Sequence, residues 1–153
     1  RERGCPICAG KSVLKGYNDF ESQCPELAKG WDYEKNIVSP DMVAYGSDKK
    51  FWWICDKGHS YECSINNRRS GQQCPYCSGK RVLSGFNDIS TTHPEIAKQW
   101  CLDLNKFDPT EVTAGSHKKV RWLCNICGHK WMSYVYNRCI NNAGCPKCNR
   151  RVK

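Results

Sequence analysis

Cysteine pairs of the form Cys-x-x-Cys recur along this chain at Cys5/Cys8, Cys74/Cys77, Cys124/Cys127 and Cys145/Cys148, three of them as Cys-Pro-x-Cys. Thirteen cysteines in 153 residues must be disulfides, metal ligands or buried thiols. A repeated spacing of two residues favours metal, because a disulfide framework does not select it. Thiolates in that pattern are the usual donors of a tetrahedral zinc site. Hydrophobic content is 39%, low for a chain that folds on one apolar core, so metal staples would supply part of the stability. Zinc-bound thiolates also imply a reducing compartment, cytoplasm or nucleus.

The pairs mark a repeat. Shifting the sequence by 69 positions lays "CPICAGKSVLKGYNDF" from residue 5 on "CPYCSGKRVLSGFNDI" from residue 74. The same shift lays "CPELAKGW" on "HPEIAKQW" and "GSDKKFWWIC" on "GSHKKVRWLC", with roughly half the positions identical. "GHSYECSINNR" then matches "GHKWMSYVYNR" after one inserted residue, and a third Cys-Pro-x-Cys ends the second copy. The expected domains are therefore 5–77 and 74–148, sharing the pair at 74–77.

Each copy reads as a small α+β module. Pro25 and Pro94 suit the first position of a helix. Leu27 with Trp31, and Ile96 with Trp100, lie four apart, which predicts a helix of about two turns with a buried Trp. "KKFWWIC" and "KKVRWLC" read as strands, "HSYECSI" and "HKWMSYVY" as their return strands, with Cys and Gly-His residues at the hairpin tip.

Two zinc registers are open. In one, each tip joins the Cys-Pro-x-Cys that follows, giving Cys55, His59, Cys74 and Cys77, then Cys124, Cys127, Cys145 and Cys148. In the other, each tip joins the pair about fifty residues before it. The first closes loops of 14 and 17 residues, within the usual range for paired zinc ligands. A return strand leading straight to the next pair also lets the ligands converge, so the first register is favoured. All four positions are then filled by Cys or His, leaving no coordination position for a catalytic water, so the expected role is structural. A third zinc at Cys5 and Cys8 would need ligands outside this segment, and the chain, beginning at Arg1, is expected to be a piece of a longer protein. His129 is a weaker alternative to Cys127. Cys24 and His93, each ahead of Pro, are expected to serve the helix cap, and Cys63, Cys101 and Cys139 to be semi-buried thiols.

Formal charge is +9. Zinc with three thiolates carries −1 and with four −2, so two such sites leave about +6. A basic protein favours a polyanionic partner. The cations also repeat: Lys49 and Lys50, with Arg68 and Arg69, in the first copy; Lys118 and Lys119, with Arg138, in the second. Lys11, Lys80 and Arg81 follow the Cys-Pro-x-Cys turns, and Arg150, Arg151 and Lys153 end the chain. Cations at regular spacing suit the backbone of a nucleic acid. Trp31, Trp53, Trp100 and Trp122 recur in both copies and read as core. Trp52 aligns with Arg121, a position expected to be exposed, so these two are the candidates for base contact. No run approaches the ~20 apolar residues of a membrane span, so no membrane partner is expected.

The run C-P-x-C…G-[FY]-N-D…P-E-[LI]-A…W…W-x-C…G-H…N-R…C-P-x-C resembles the tandem "probable zinc-ribbon" family, also described as treble-clef zinc fingers. The resemblance covers nearly the whole chain as two copies. It implies zinc at the tip residues and the following Cys-Pro-x-Cys. By association with endonuclease and other DNA-processing domains, in the same or a partner chain, it implies nucleic acid, DNA first. The second tip carries Cys-x-x-Cys where the first carries Cys-x-x-x-His; both are acceptable zinc tips. A treble clef can also carry a nuclease site, but histidines are few and no carboxylate cluster for magnesium is evident. Asp19 and Asp88, each after Asn, more simply cap a turn. The expected function is non-enzymatic nucleic-acid recognition, with a zinc-stapled protein–protein adaptor and a nuclease fragment as the alternatives.

Overall fold

The computed structural model describes residues 5–149, which places Arg150, Arg151 and Lys153 outside the description. The chain divides into two units between Cys74 and Pro75, inside the Cys-Pro-x-Cys that both copies share in sequence. The first unit runs through α1 (Phe20–Gln23), α2 (Pro25–Ala28), a 3₁₀ turn at Pro40–Met42, β1 (Lys50–Ile54), β2 (Ser60–Ser64) and α3 (Ile65–Arg69). The second repeats the plan with α4 (Ile89–Thr92), α5 (Pro94–Ala97), 3₁₀ turns at Leu102–Leu104 and Pro109–Glu111, β3 (Lys119–Leu123), β4 (Lys130–Tyr134), α6 (Val135–Cys139) and α7 (Pro146–Asn149). Each unit is a small α+β body of short helices around one two-stranded antiparallel hairpin. No helix among the described residues is long and apolar enough to cross a membrane.

The strands alternate as a half-buried hairpin must. Trp53 faces Tyr61 across the first ladder, and Trp122 faces Trp131 across the second. Trp53 and Trp122 are fully buried. Trp31 meets Trp53 edge-on at 5.2 Å and 81°, and Trp100 meets Trp122 at 5.2 Å and 84°, the arrangement that the ring quadrupole favours. Every one of these indoles is satisfied: Trp31 Nε1 donates to Val38 O, Trp53 Nε1 to Cys63 O, Trp100 Nε1 to Phe107 O and Trp122 Nε1 to Ser133 O. In the second unit Ile89, Val112, Val120, Val135 and Cys139 complete the core around Trp100 and Trp122.

Two pairs of asparagines explain why they repeat. The Asn36 side chain accepts from Trp52 N at 2.9 Å and donates to Trp52 O at 2.8 Å, closing the open edge of β1 as a strand would. Asn105 does the same for Arg121, at 2.8 and 2.9 Å. Asn18 accepts from Leu14 N and donates to Ile7 O and Ser12 O; Asn87 accepts from Leu83 N and donates to Tyr76 O and Arg81 O. Each thereby holds the turn of a Cys-Pro-x-Cys pair. The adjoining Asp19 and Asp88 are buried N-caps, accepting from Ser22 N and Thr91 N respectively.

Three local expectations need correction. The helices that begin at Pro25 and Pro94 last one turn each, not two, because the chain leaves them to bring Trp31 and Trp100 into bridges with Trp53 and Trp122. The return strands end at Ser64 and Tyr134, and a one-turn helix follows each. Ile65 and Val135 open those helices despite their β-branched side chains, since both are fully buried and packing outweighs propensity. Cys24 and His93 do stand at the N-cap positions of α2 and α5, but neither side chain makes the capping hydrogen bond.

Candidate metal centres

A tight turn at each hairpin tip presents the first two ligands. Cys55 N donates to His59 O and Gly58 N to Cys55 O; Cys124 N donates to His129 O and Gly128 N to Cys124 O. The turn needs a positive φ at Gly58 (79°) and Gly128 (66°), which glycine adopts without steric cost. The one-turn helices α3 and α6 then return the chain to the next Cys-Pro-x-Cys.

The outcome is two tetrads, Cys55/His59/Cys74/Cys77 and Cys124/Cys127/Cys145/Cys148, with the ligand atoms of each within 4.8 Å of one another. In the first, His59 Nδ1 lies 3.5 Å from Cys55 Sγ and 3.8 Å from Cys74 Sγ. In the second, Cys124 Sγ lies 3.7 Å from Cys148 Sγ, and Cys127 Sγ 3.7 Å from Cys145 Sγ. A tetrahedron with Zn–S of about 2.3 Å has an edge of roughly 3.8 Å, whereas a disulfide would need about 2.05 Å. The donors therefore fit two structural zinc ions.

Electrostatics in the all-cysteine tetrad point the same way. The main-chain N–H groups of Cys127 and Ile126 hold the Cys124 thiol down to about 6. Hydrogen bonds with Cys127 and Cys124 push Cys148 up to about 12. Four sulfurs this close cannot all ionise without a cation, and zinc is the cation that lets them.

The remaining cysteines and histidines sort clearly. Among the described residues Cys5 and Cys8, both exposed, gather no third Cys, His, Asp or Glu ligand. The His129 ring lies outside the tetrad, stacked at 6° on Trp131. Cys63, Cys101 and Cys139 are buried. Burial pushes the Cys139 thiol up to about 11 and raises that of Cys63, so both stay protonated.

Of the cations singled out above, Lys49, Lys50, Arg69, Lys118, Lys119 and Arg121 are exposed. Arg69 lies 4.8 Å from the Tyr45 ring, and Trp52 is half-buried with Lys35 Nζ 4.3 Å from its ring. Arg68 and Arg138 are less exposed than a phosphate-facing surface was expected to be: Arg138 is buried and Arg68 half-buried, each against a core tryptophan. Arg138 is buried, lies over Trp122 and Trp131, and donates to Ala143 O and Gln99 Oε1. Arg68 is half-buried, lies over Trp53, and donates to Gln72 O. The accepting carbonyl lies two residues before Cys74 in one unit and two before Cys145 in the other, so each arginine ties the core to a zinc pair. The charge pattern alone could not separate these arginines from exposed ones. Sequence reasoning also missed Tyr134, Tyr136 and His117, whose proximity depends on strand register.

Comparison with known proteins fits this geometry. A family model described as a probable treble clef zinc finger domain matches residues 27–80 and again residues 96–151. Each match contains one whole tetrad. The chain is also similar to an uncharacterized protein, R635, of Acanthamoeba polyphaga mimivirus, with 26% identity over 164 residues, covering 97% of this chain and 38% of that protein. It thus spans well under half the length of that relative. The chain belongs to the probable treble clef zinc finger family and carries two copies of its zinc-binding module in tandem.

Proposed function

We propose that this chain is a non-enzymatic nucleic-acid recognition region, with DNA as the first candidate, in which zinc is structural and basic side chains on the hairpins meet the phosphate backbone. The observation that carries this reading is the placement of Lys118, Lys119 and Arg121, exposed at the start of a strand whose backbone is clipped by Asn105 and whose far end is fixed at a zinc tetrad. Lys49 and Lys50 take the matching place in the first unit. Cations on a rigid frame lose little conformational entropy on binding. The filled tetrads support a structural role for the metal, because a catalytic zinc keeps a position open for water or substrate. Activity, in this reading, belongs to an endonuclease or other DNA-processing domain in the same or a partner chain. Thirteen cysteines, seven of them in the tetrads, fit a reducing compartment, cytoplasm or nucleus.

Titration of the zinc-loaded chain against DNA across a range of salt concentrations tests the reading. Affinity falls with salt, and replacing Lys118, Lys119 and Arg121 with Gln lowers the log–log slope by about 3. Failure to bind DNA or RNA at low salt would replace this reading with a zinc-stapled protein–protein adaptor. Magnesium-dependent cleavage by the chain itself would replace it with a nuclease.

A further inference from the structure

The two hairpins share a backbone but not an outward face. On the outer side of the second, Lys119 pairs with Tyr134, Arg121 with Met132 and Leu123 with Lys130. Tyr134 continues into a file of rings: its centroid lies 6.0 Å from Tyr136, and Tyr136 lies 4.6 Å from His117. Lys119 Nζ lies 5.7 Å from the Tyr134 ring. Tyr134 is 41% and Met132 52% exposed, and His117 is exposed.

At the equivalent places the first unit carries Ser64, Asn66, Asp48 and Glu62. There Asn66 Nδ2 donates to Asp48 Oδ1 at 2.6 Å. One position pair is thus an amide–carboxylate hydrogen bond in one copy and a ring-on-ring contact in the other. The first face has two carboxylates that repel phosphate. The second replaces them with His117 and Met132. The frame beneath it is firm: Val135 N donates to Lys118 O at 3.0 Å and Tyr136 N to Ser116 O at 3.1 Å.

We infer that this face of the second unit is a stacking platform for single-stranded nucleic acid, with bases on Tyr134, Tyr136 and His117 and phosphates on Lys118, Lys119 and Arg121. Exposed Tyr134 and His117, with half-buried Tyr136 between them, can stack only on bases whose faces are free, and a duplex hides those base faces. Any base has a π-face, so the platform reads strandedness before sequence. The inference rests on the nucleic-acid reading above and assigns the second unit the larger share of binding.

The test is fluorescence polarisation of the zinc-loaded chain with labelled oligo-dT, oligo-rU and duplex DNA of equal length. Single strands bind more tightly than duplex, and the dT and rU arms show whether a 2′-hydroxyl is tolerated. Tyr134→Ala weakens single-strand binding by about tenfold, leaves the salt slope unchanged and keeps two zinc ions; Tyr134→Phe binds like wild type. Tyr136→Leu, which keeps apolar bulk on α6, is the second weakening variant. Lys119→Gln with Arg121→Gln lowers the single-strand slope by about 1.4, and Asn66→Ala in the first unit changes nothing. Duplex binding as tight as single-strand binding, or wild-type affinity in both Tyr134→Ala and Tyr136→Leu, would overturn the platform and leave nucleic-acid recognition standing. Absence of binding by wild type to all three probes would overturn both.

Discussion

The guanidinium carbon of Arg138 lies 5.4 Å from the ring centroid of Trp122, in the core of the second unit. Arg68 stands in the same relation to Trp53 in the first, at 5.2 Å. Burial works against the charge of Arg138, while the thiolates of Cys124 and Cys145 favour it. A cation beside a thiolate–zinc cluster of net charge −2 is electrostatically well placed. Replacing Arg138 with Met removes the ring contact, worth about 2 kcal/mol when desolvated, and removes its part-buried hydrogen bonds to Ala143 O and Gln99 Oε1, at about 1.5–3 kcal/mol for a charged donor. Urea unfolding of zinc-loaded Arg138→Met should show a loss of roughly 3 kcal/mol or more. If nucleic acid binds as proposed, the salt slope should stay unchanged, because the Arg138 guanidinium is buried.

The tryptophans give a contrasting series. Trp53→Ala and Trp122→Ala should each cost about 3–5 kcal/mol, since both rings are fully buried. Trp52→Ala, which loses a half-buried ring and the Lys35 contact, should cost only about 1 kcal/mol. Equal costs at all three positions, measured by denaturant unfolding, would mean that the assigned faces of the hairpins are wrong.

Asp19 and Asp88 link stability to pH. Burial acts to raise the pKa of Asp88, but hydrogen bonds from the Thr91 side chain and from Gly85 and Thr91 N–H outweigh it and hold the carboxyl below its ordinary value. Burial and the Ser22 and Gly16 hydrogen bonds act likewise on Asp19. A carboxylate depressed in the folded state stabilises fully above its unfolded pKa of about 3.9, and that contribution is lost as pH falls through the folded value. Asp88→Ala should lower stability at pH 7 by about 2 kcal/mol, the upper end for an N-cap, because three donors lose their acceptor. The difference from wild type should shrink below about pH 4, which unfolding curves measured as a function of pH would reveal.

Both tetrads were legible in the sequence because a repeated Cys-x-x-Cys spacing has few other uses, and Trp31, Trp53, Trp100 and Trp122 were legible as core because they recur. The split between Arg68 and Arg69 was not, since two adjacent arginines carry the same charge and only α3 turns one toward Trp53. The one-turn helices after β2 and β4 were hidden by Ile65 and Val135, whose local preference is for strand and whose burial places them in helix. The ring file at Tyr134, Tyr136 and His117 joins residues about twenty apart in sequence and became visible only through the β3–β4 register.

The most direct test of the zinc assignment is a metal count on the intact chain carrying Cys5→Ser and Cys8→Ser, beside one carrying Cys145→Ser and Cys148→Ser. If each hairpin tip binds with the Cys-Pro-x-Cys that follows, the first variant keeps two tightly bound zinc ions, as wild type does. The second then keeps one, held by three thiolates and one imidazole in its cobalt-substituted spectrum. Loss of a zinc from the Cys5/Cys8 variant, with two retained in the Cys145/Cys148 variant, would contradict the account and assign each tip to the pair before it.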